Sequence, residues 1–212
     1  MNFEIWLLFF VAYLIVTLSP GPNVLLVVKN AIKYGYKAAS ITILLNLFCQ
    51  LVIITLVAFG AGALLAKSPI LFFALKVIGG GYLIYLGITG LFTKIKAVET
   101  PEFEATSSRR LSYYKICKEA FLVSASNPKT VIFLSAFLPQ FLSTNEPVFW
   151  QFAQMFLTMC FLVISVHLVY SYIAKNINNR FSTLKGNPIF SKITNSAFII
   201  FGCGVLSKSR AT

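Results

Sequence analysis

The sequence predicts an all-α polytopic membrane protein: six transmembrane helices forming two inverted three-helix repeats, with helices 1 and 4 broken at prolines. Three observations lead there. The 212 residues are 58% hydrophobic and only 11% charged, and mean hydropathy is +0.81. That is more apolar surface than a soluble domain can hide. Six apolar runs follow one another, each long enough or nearly so for the ~20 helical residues that cross a bilayer. Two of these runs carry matching proline interruptions, one in each half of the chain.

The first run, Glu4–Val28, is interrupted by Ser19-Pro-Gly-Pro-Asn23. It lacks a basic leader and is too long for a cleavable signal, so it is read as a span. The second run is Ala38–Ala66 and the third Pro69–Phe92, whose Gly79-Gly-Gly81, Gly87 and Gly90 suit close helix packing. The fourth, Ala120–Phe141, contains Ser124-Ala-Ser-Asn-Pro-Lys-Thr130. The fifth is Val148–Ala174 and the sixth Pro188–Leu206, the weakest because Lys192 lies near its start. None of the runs alternates as a barrel strand would.

The cations set a topology. Loops after spans 1, 3 and 5 carry Lys29, Lys33, Lys37, Lys94, Lys96, Arg109, Arg110, Lys115, Lys118, Lys175, Arg180, Lys185 and Lys192. The opposite side carries only Lys67, Lys208 and Arg210. The positive-inside rule then puts both termini outside the cytoplasm. The net charge of +12 is read as cytoplasmic loops facing anionic lipid, not as a nucleic-acid surface.

The chain reads as one transmembrane domain over 1–212. Repeat one covers about 4–92, a polar cytoplasmic linker about 93–118, and repeat two about 119–206. Three spans per half place the second half upside down. Setting Pro22 on Pro128 sets Asn23 on Lys129. Gly80-Gly-Tyr-Leu-Ile-Tyr85 and Ser196-Ala-Phe-Ile-Ile-Phe201 share a pattern of small, small, aromatic, aliphatic, aliphatic, aromatic. Counted from the apolar-run edges, the first break lies past the middle of span 1 and the second early in span 4, whereas strict inversion wants matching depths; a start of span 4 upstream, near Tyr113, is the open alternative.

The breaks carry the chemistry. Proline has no N–H, so Pro128 leaves the Ser124 carbonyl without its helical partner, and Pro22 does the same to Leu18. Interrupted backbone and charge survive in a bilayer where protein or a water-filled cavity surrounds them. Lys129 is a cation inside an apolar run and marks a site, the alternative being a side chain that snorkels to the interface. The half-helix after each break favours an anion at its start, while freed carbonyls and asparagine oxygens take an ammonium. The candidate substrate-binding residues are Ser19, Pro20, Gly21, Pro22, Asn23, Asn127, Pro128 and Lys129, and the ligand they suit is a small zwitterion. Glu119 and His167 are candidates for proton coupling. Their alternatives are pairing of Glu119 with Lys115 or Lys118, and a helix-to-helix hydrogen bond from His167.

No catalytic pair, metal-ligand cluster, nucleotide loop or cofactor motif is expected. Cys49, Cys117, Cys160 and Cys203 are scattered singly and read as buried free thiols. The expected partners are a small-molecule substrate, protons and the lipid bilayer, with no nucleic acid. A homo-oligomer stays open.

These motifs resemble the lysine exporter, or LysE/RhtB-type, family of amino-acid exporters. Ser19-Pro-Gly-Pro-Asn23 is similar to that family's first signature. Asn127-Pro-Lys129 with Phe137-Leu-Pro-Gln-Phe141 is similar to its second, and Leu75-Lys76…Gly79…Tyr82-Leu83…Gly87 is similar as well. The resemblance spans nearly the whole chain. It implies a bacterial inner-membrane carrier that exports amino acids or close derivatives, driven by the proton gradient. Asn46 and Asn195 depart from it, standing where small residues are usual, which puts close helix packing there in question. The rival readings are an ion channel or metal-ion carrier of similar architecture, and a non-transporting membrane subunit.

Overall fold

Proline starts half of the described α-helices. The computed structural model describes residues 1–19, 21–67, 69–92, 112–143, 146–176 and 188–207. Among these, all regular structure is helical, in the order α1 (Phe3–Leu18), α2 (Pro22–Tyr34), α3 (Tyr36–Lys67), α4 (Pro69–Phe92), α5 (Tyr113–Ala125), α6 (Pro128–Ile132), α7 (Val148–Asn176) and α8 (Pro188–Ser207). Pro22, Pro69, Pro128 and Pro188 open α2, α4, α6 and α8. At the first helical position the missing N–H costs nothing and the fixed φ is already helical.

The predicted runs therefore become helices, with two differences at their edges. The first run extends through α2 to Tyr34, and the fourth begins at Tyr113, seven residues ahead of Ala120. Both extensions are amphipathic, so an apolar count ends before the helix does: Ile116 and Ala120 are buried, while Tyr113, Tyr114, Lys115 and Lys118 are exposed. The part of the predicted linker at 93–111 lies outside the described residues.

α1 and α2 meet at a bend of 55°, and α5 meets the helix that follows it at 54°. Thirteen residues lie on one side of each break, in α2 and α5. With α5 starting at Tyr113, a helix of equal length flanks each break. α3 over Tyr36–Gly60 and α7 over Val148–Lys175 are each long and apolar enough to cross a bilayer alone. Each bent pair meets the same test as one broken span, and α4 and α8 add shorter apolar stretches at Val77–Phe92 and Asn195–Gly204.

Gly35 lets α2 turn directly into α3. Its φ of 84° lies in the left-handed region, and its N–H closes the helix on the Ala31 carbonyl at 3.0 Å. Beyond α6 the chain first widens and then tightens, which the sequence reading did not foresee. Residues Phe133–Phe137 form a π turn and Leu138–Phe141 a 3-10 turn. Pro139 donates no ladder bond there, and the Gln140 amide caps the Ala136 carbonyl at 2.9 Å. The stretch presents Phe133, Phe137 and Phe141 to α1. Phe9 meets Phe141 edge-on at 5.3 Å and Tyr13 tilts against Phe133 at 5.4 Å, which places the core between the two halves.

α4 and α8 pack antiparallel through glycines. A Cβ on Gly80 would meet Leu206 and the Gly202 carbonyl, and one on Gly87 would sit 2.6 Å from the Asn195 carbonyl oxygen. Gly90 faces the Asn195 side chain, so the small residue is on the opposite helix and close packing survives the asparagine. Gly79 packs on Ala136, whereas Gly81 faces open space. Gly87→Val is expected to force this seam apart and to cost about 1–3 kcal/mol by overpacking. Thermal unfolding in detergent reads it, with Gly81→Val as the neutral control. The cysteines are free, but Cys49 alone is buried and Cys203 is exposed, because helices in lipid need no polar outer face.

Candidate functional site

At both breaks an extended residue precedes the proline that opens the next helix. α1 ends at Ser19, whose backbone is extended at φ −70° and ψ 113°, and α2 begins at Pro22 after an extended Gly21. α5 ends at Ser126, and α6 begins at Pro128 after an extended Asn127. Asn23 and Lys129 each hold the second position of the new helix. The two breaks then face each other across the molecule.

Lys129 makes the crossing. Its Nζ donates to the Ser19 carbonyl at 2.8 Å and lies 5.5 Å from the Phe198 ring centroid. Both partners are neutral, so the ammonium keeps its charge uncompensated. Asn23 is buried and its amide donates to Thr130 Oγ1 at 3.3 Å and Ser124 Oγ at 3.5 Å, reaching the second break from the first. Its Oδ1 has no partner. Asn127 is also buried, and its Oδ1 accepts the Lys129 backbone N–H at 3.1 Å. That cap takes one of the donors expected to face an anion.

A cavity lies between the breaks, with about 440 Å³ of empty space counting its mouth. Of the residues singled out from sequence, Ser19, Gly21, Asn23, Asn127, Lys129 and His167 line it. The rings of Pro22 and Pro128 are exposed and lie outside the lining, so they act by shaping backbone. Pro20 lies outside the described residues. His167 on α7 holds the Val163 carbonyl through Nδ1 at 2.7 Å, a bond within its own helix, and its Nε2 is buried without a partner.

Glu119 does not join this group. It pairs with Lys29 at 2.6 Å, ninety residues away, and not with the neighbouring Lys115 or Lys118. Packing of α2 against α5 brings the two together, which local spacing cannot reveal. The Leu18 carbonyl, expected to be free, accepts the Tyr170 hydroxyl at 2.7 Å.

The sequence reading missed Tyr13, Thr17, Gln50 and Thr130, which complete the polar part of the lining. Tyr13 donates to Gln50 Oε1 at 3.0 Å, tying α1 to α3. A glutamine in the middle of an apolar run was the available signal. The resulting wall carries one cation, hydroxyls and amides of both hydrogen-bonding senses. It can hold a carboxylate and an ammonium at once.

The LysE type translocator family model matches residues 14–209. An uncharacterized membrane protein of Vibrio cholerae is 29% identical over 209 residues, 97% of each chain. The homoserine/homoserine lactone efflux protein of Salmonella typhi is 30% identical over 212 residues, the whole of each chain. An uncharacterized membrane protein of Bacillus subtilis is 31% identical over 188 residues, 86% of this chain and 89% of its own. No solved structure matches significantly. A match running from the first break to the end of α8 covers both halves of the cavity, and the chain is a multi-pass membrane transporter, not an enzyme, belonging to the LysE type translocator family.

Proposed function

We propose that this chain is a secondary active exporter that moves amino acids or close derivatives out of the cytoplasm across a bacterial inner membrane. The observation that carries the proposal is the crossing of Lys129 to Ser19, which joins two helix breaks around one polar cavity. The substrate carboxylate meets the Lys129 ammonium and its ammonium meets Asn23 Oδ1. A side-chain hydroxyl or lactone oxygen finds Thr17, Gln50 or Thr130. The full-length likeness to homoserine/homoserine lactone efflux proteins supports a substrate of that size.

Six spans in two inverted repeats fit the contacts. α1 packs on α7 as α5 packs on α3, and α4 meets α8 between the halves. The cations support cytoplasmic loops at the α2–α3 end. Lys175 stacks over Tyr36 at 4.2 Å and Lys37 over Tyr113 at 5.5 Å, so basic and aromatic residues gather at that end as they do at a membrane interface. Proton coupling falls to His167, because its free Nε2 belongs to the cavity while Glu119 is held by Lys29.

Cells carrying the chain are expected to export labelled homoserine or a related amino acid, and an uncoupler is expected to stop them. A cysteine placed between residues 93 and 111 is expected to be shielded from an impermeant thiol reagent in intact cells. Metal-ion flux without amino-acid flux, or efflux indifferent to the uncoupler, contradicts the proposal. Ready labelling from outside reverses the topology.

A further inference from the structure

The seam between α2 and α3 is more polar than helix packing in a membrane requires. Asn30, Thr42, Asn46 and Ser124 are fully buried there, with Cys49 and Asn23 nearly so. The Asn30 amide donates to Thr42 Oγ1 at 2.8 Å, and Thr42 donates to the Ala38 carbonyl at 2.8 Å. The Asn23 amide donates to Ser124 and Thr130, yet several other polar atoms stay unpaired. Asn23 Oδ1, Asn30 Oδ1 and both side-chain polar atoms of Asn46 have no partner.

These residues form a line. Only Gly35 separates α2 from α3, so the helices run antiparallel, and the Asn30–Thr42 bond fixes their register. Asn46 then falls level with Leu26, and Cys49 level with Asn23. Thr42, Asn46 and Gln50 share one face of α3 at four-residue spacing. Gln50 and Asn23 line the cavity. The line therefore runs from the cavity towards the Gly35 turn, about 18 Å for twelve helical residues.

A structural network satisfies its own members, as the Asn30–Thr42 bond does in part. Asn46 is bonded to nothing, and a buried amide without a partner is destabilising and uncommon. Small apolar residues would pack these helices better. An asparagine carries donor and acceptor without net charge, so it can serve both ends of a zwitterion in turn and release both.

We propose that the α2–α3 seam, from Asn46 to Asn30, is the inward half of the substrate path. Its unpaired amides hydrogen-bond the passing zwitterion when α2 and α3 part. The Lys29–Glu119 pair ties α2 to α5 next to Asn30, at the Gly35 end of the same seam. The inference rests on the exporter reading and adds a route to its cavity.

The test separates stability from transport. Asn46→Leu removes two unpaired buried atoms at similar volume, so its Tm is expected to match or exceed that of the parent chain. Efflux of labelled homoserine is expected to fall about tenfold, the scale of one lost hydrogen bond, and Asn46→Gln is expected to retain most of it. Independently, Asn46→Cys in a chain whose four native cysteines are serine is expected to react with methanethiosulfonate ethylammonium from the Gly35 side. Parental efflux by Asn46→Leu, or an inert Cys at this position, overturns the proposal. If the parent chain moves no amino acid, the exporter reading fails on its own, and the labelling alone decides whether the seam is an aqueous path.

Discussion

Lys129→Met is expected to bring export to background while the protein still inserts and folds. The ammonium is half-buried, 2.8 Å from the Ser19 carbonyl, with a neutral ring as its other partner. Its charge is thus available to a substrate carboxylate. Methionine keeps much of the volume and loses two charge-assisted hydrogen bonds, one to Ser19 and one to substrate. Each is worth about 1.5–3 kcal/mol. The substrate share alone corresponds to a loss of roughly 10- to 100-fold, at 1.4 kcal/mol per tenfold, and release of Ser19 uncouples the two breaks as well. Folding is spared because a desolvated charge is removed. Lys129→Arg is expected to be partly active, since a planar fork does not reproduce a point charge at the Ser19 carbonyl. Efflux and membrane insertion are measured together; full efflux from the methionine variant would show that the ammonium takes no part.

The second large effect is expected from Pro128→Ala. Proline at this position starts α6 and leaves the chain bent by 54° after α5. Alanine restores an N–H that can bond the Ser124 carbonyl, and in a helix interior it is favoured over proline by about 3 kcal/mol. The straightened helix would swing Lys129 off Ser19 and draw Asn127 out of its cap. Expression and Tm should hold or rise, while substrate affinity, read from substrate-induced stabilisation, should fall at least about tenfold, the equivalent of one such hydrogen bond. The double variant Lys129→Met/Pro128→Ala should lose little more than either single, because both act through one contact. Pro22→Ala should be milder. Pro20 still lacks an N–H beside it, and the Leu18 carbonyl it would recapture is already held by Tyr170. Normal substrate affinity in Pro128→Ala, or defects that add fully, would mean that the bend does not position the site.

Local backbone chemistry was legible throughout. Pro22, Pro69, Pro128 and Pro188 start helices where the sequence placed them, because a missing N–H acts within its own turn of chain. The apolar runs declared membrane helices, and the breaks pointed to Ser19, Asn23, Asn127 and Lys129. Helix ends were less legible: the amphipathic turns at Tyr113–Glu119 and Val28–Tyr34 carry cations that cut an apolar count short.

The sequence by itself determined that this chain is helical, apolar and twice broken, and which residue types sit at the breaks. Only the tertiary structure decided that the breaks meet. Lys129 reaches a carbonyl 110 residues away, Tyr13 a glutamine 37 away and Tyr170 a carbonyl 152 away. It also took Glu119 from its helical neighbours and gave it to Lys29, and it set Asn195 against Gly90 so that an unfavoured residue could pack. A side chain's spacing along a helix fixes the face it occupies, but its partner is chosen by which other helix covers that face, and that choice belongs to the packing of the whole bundle.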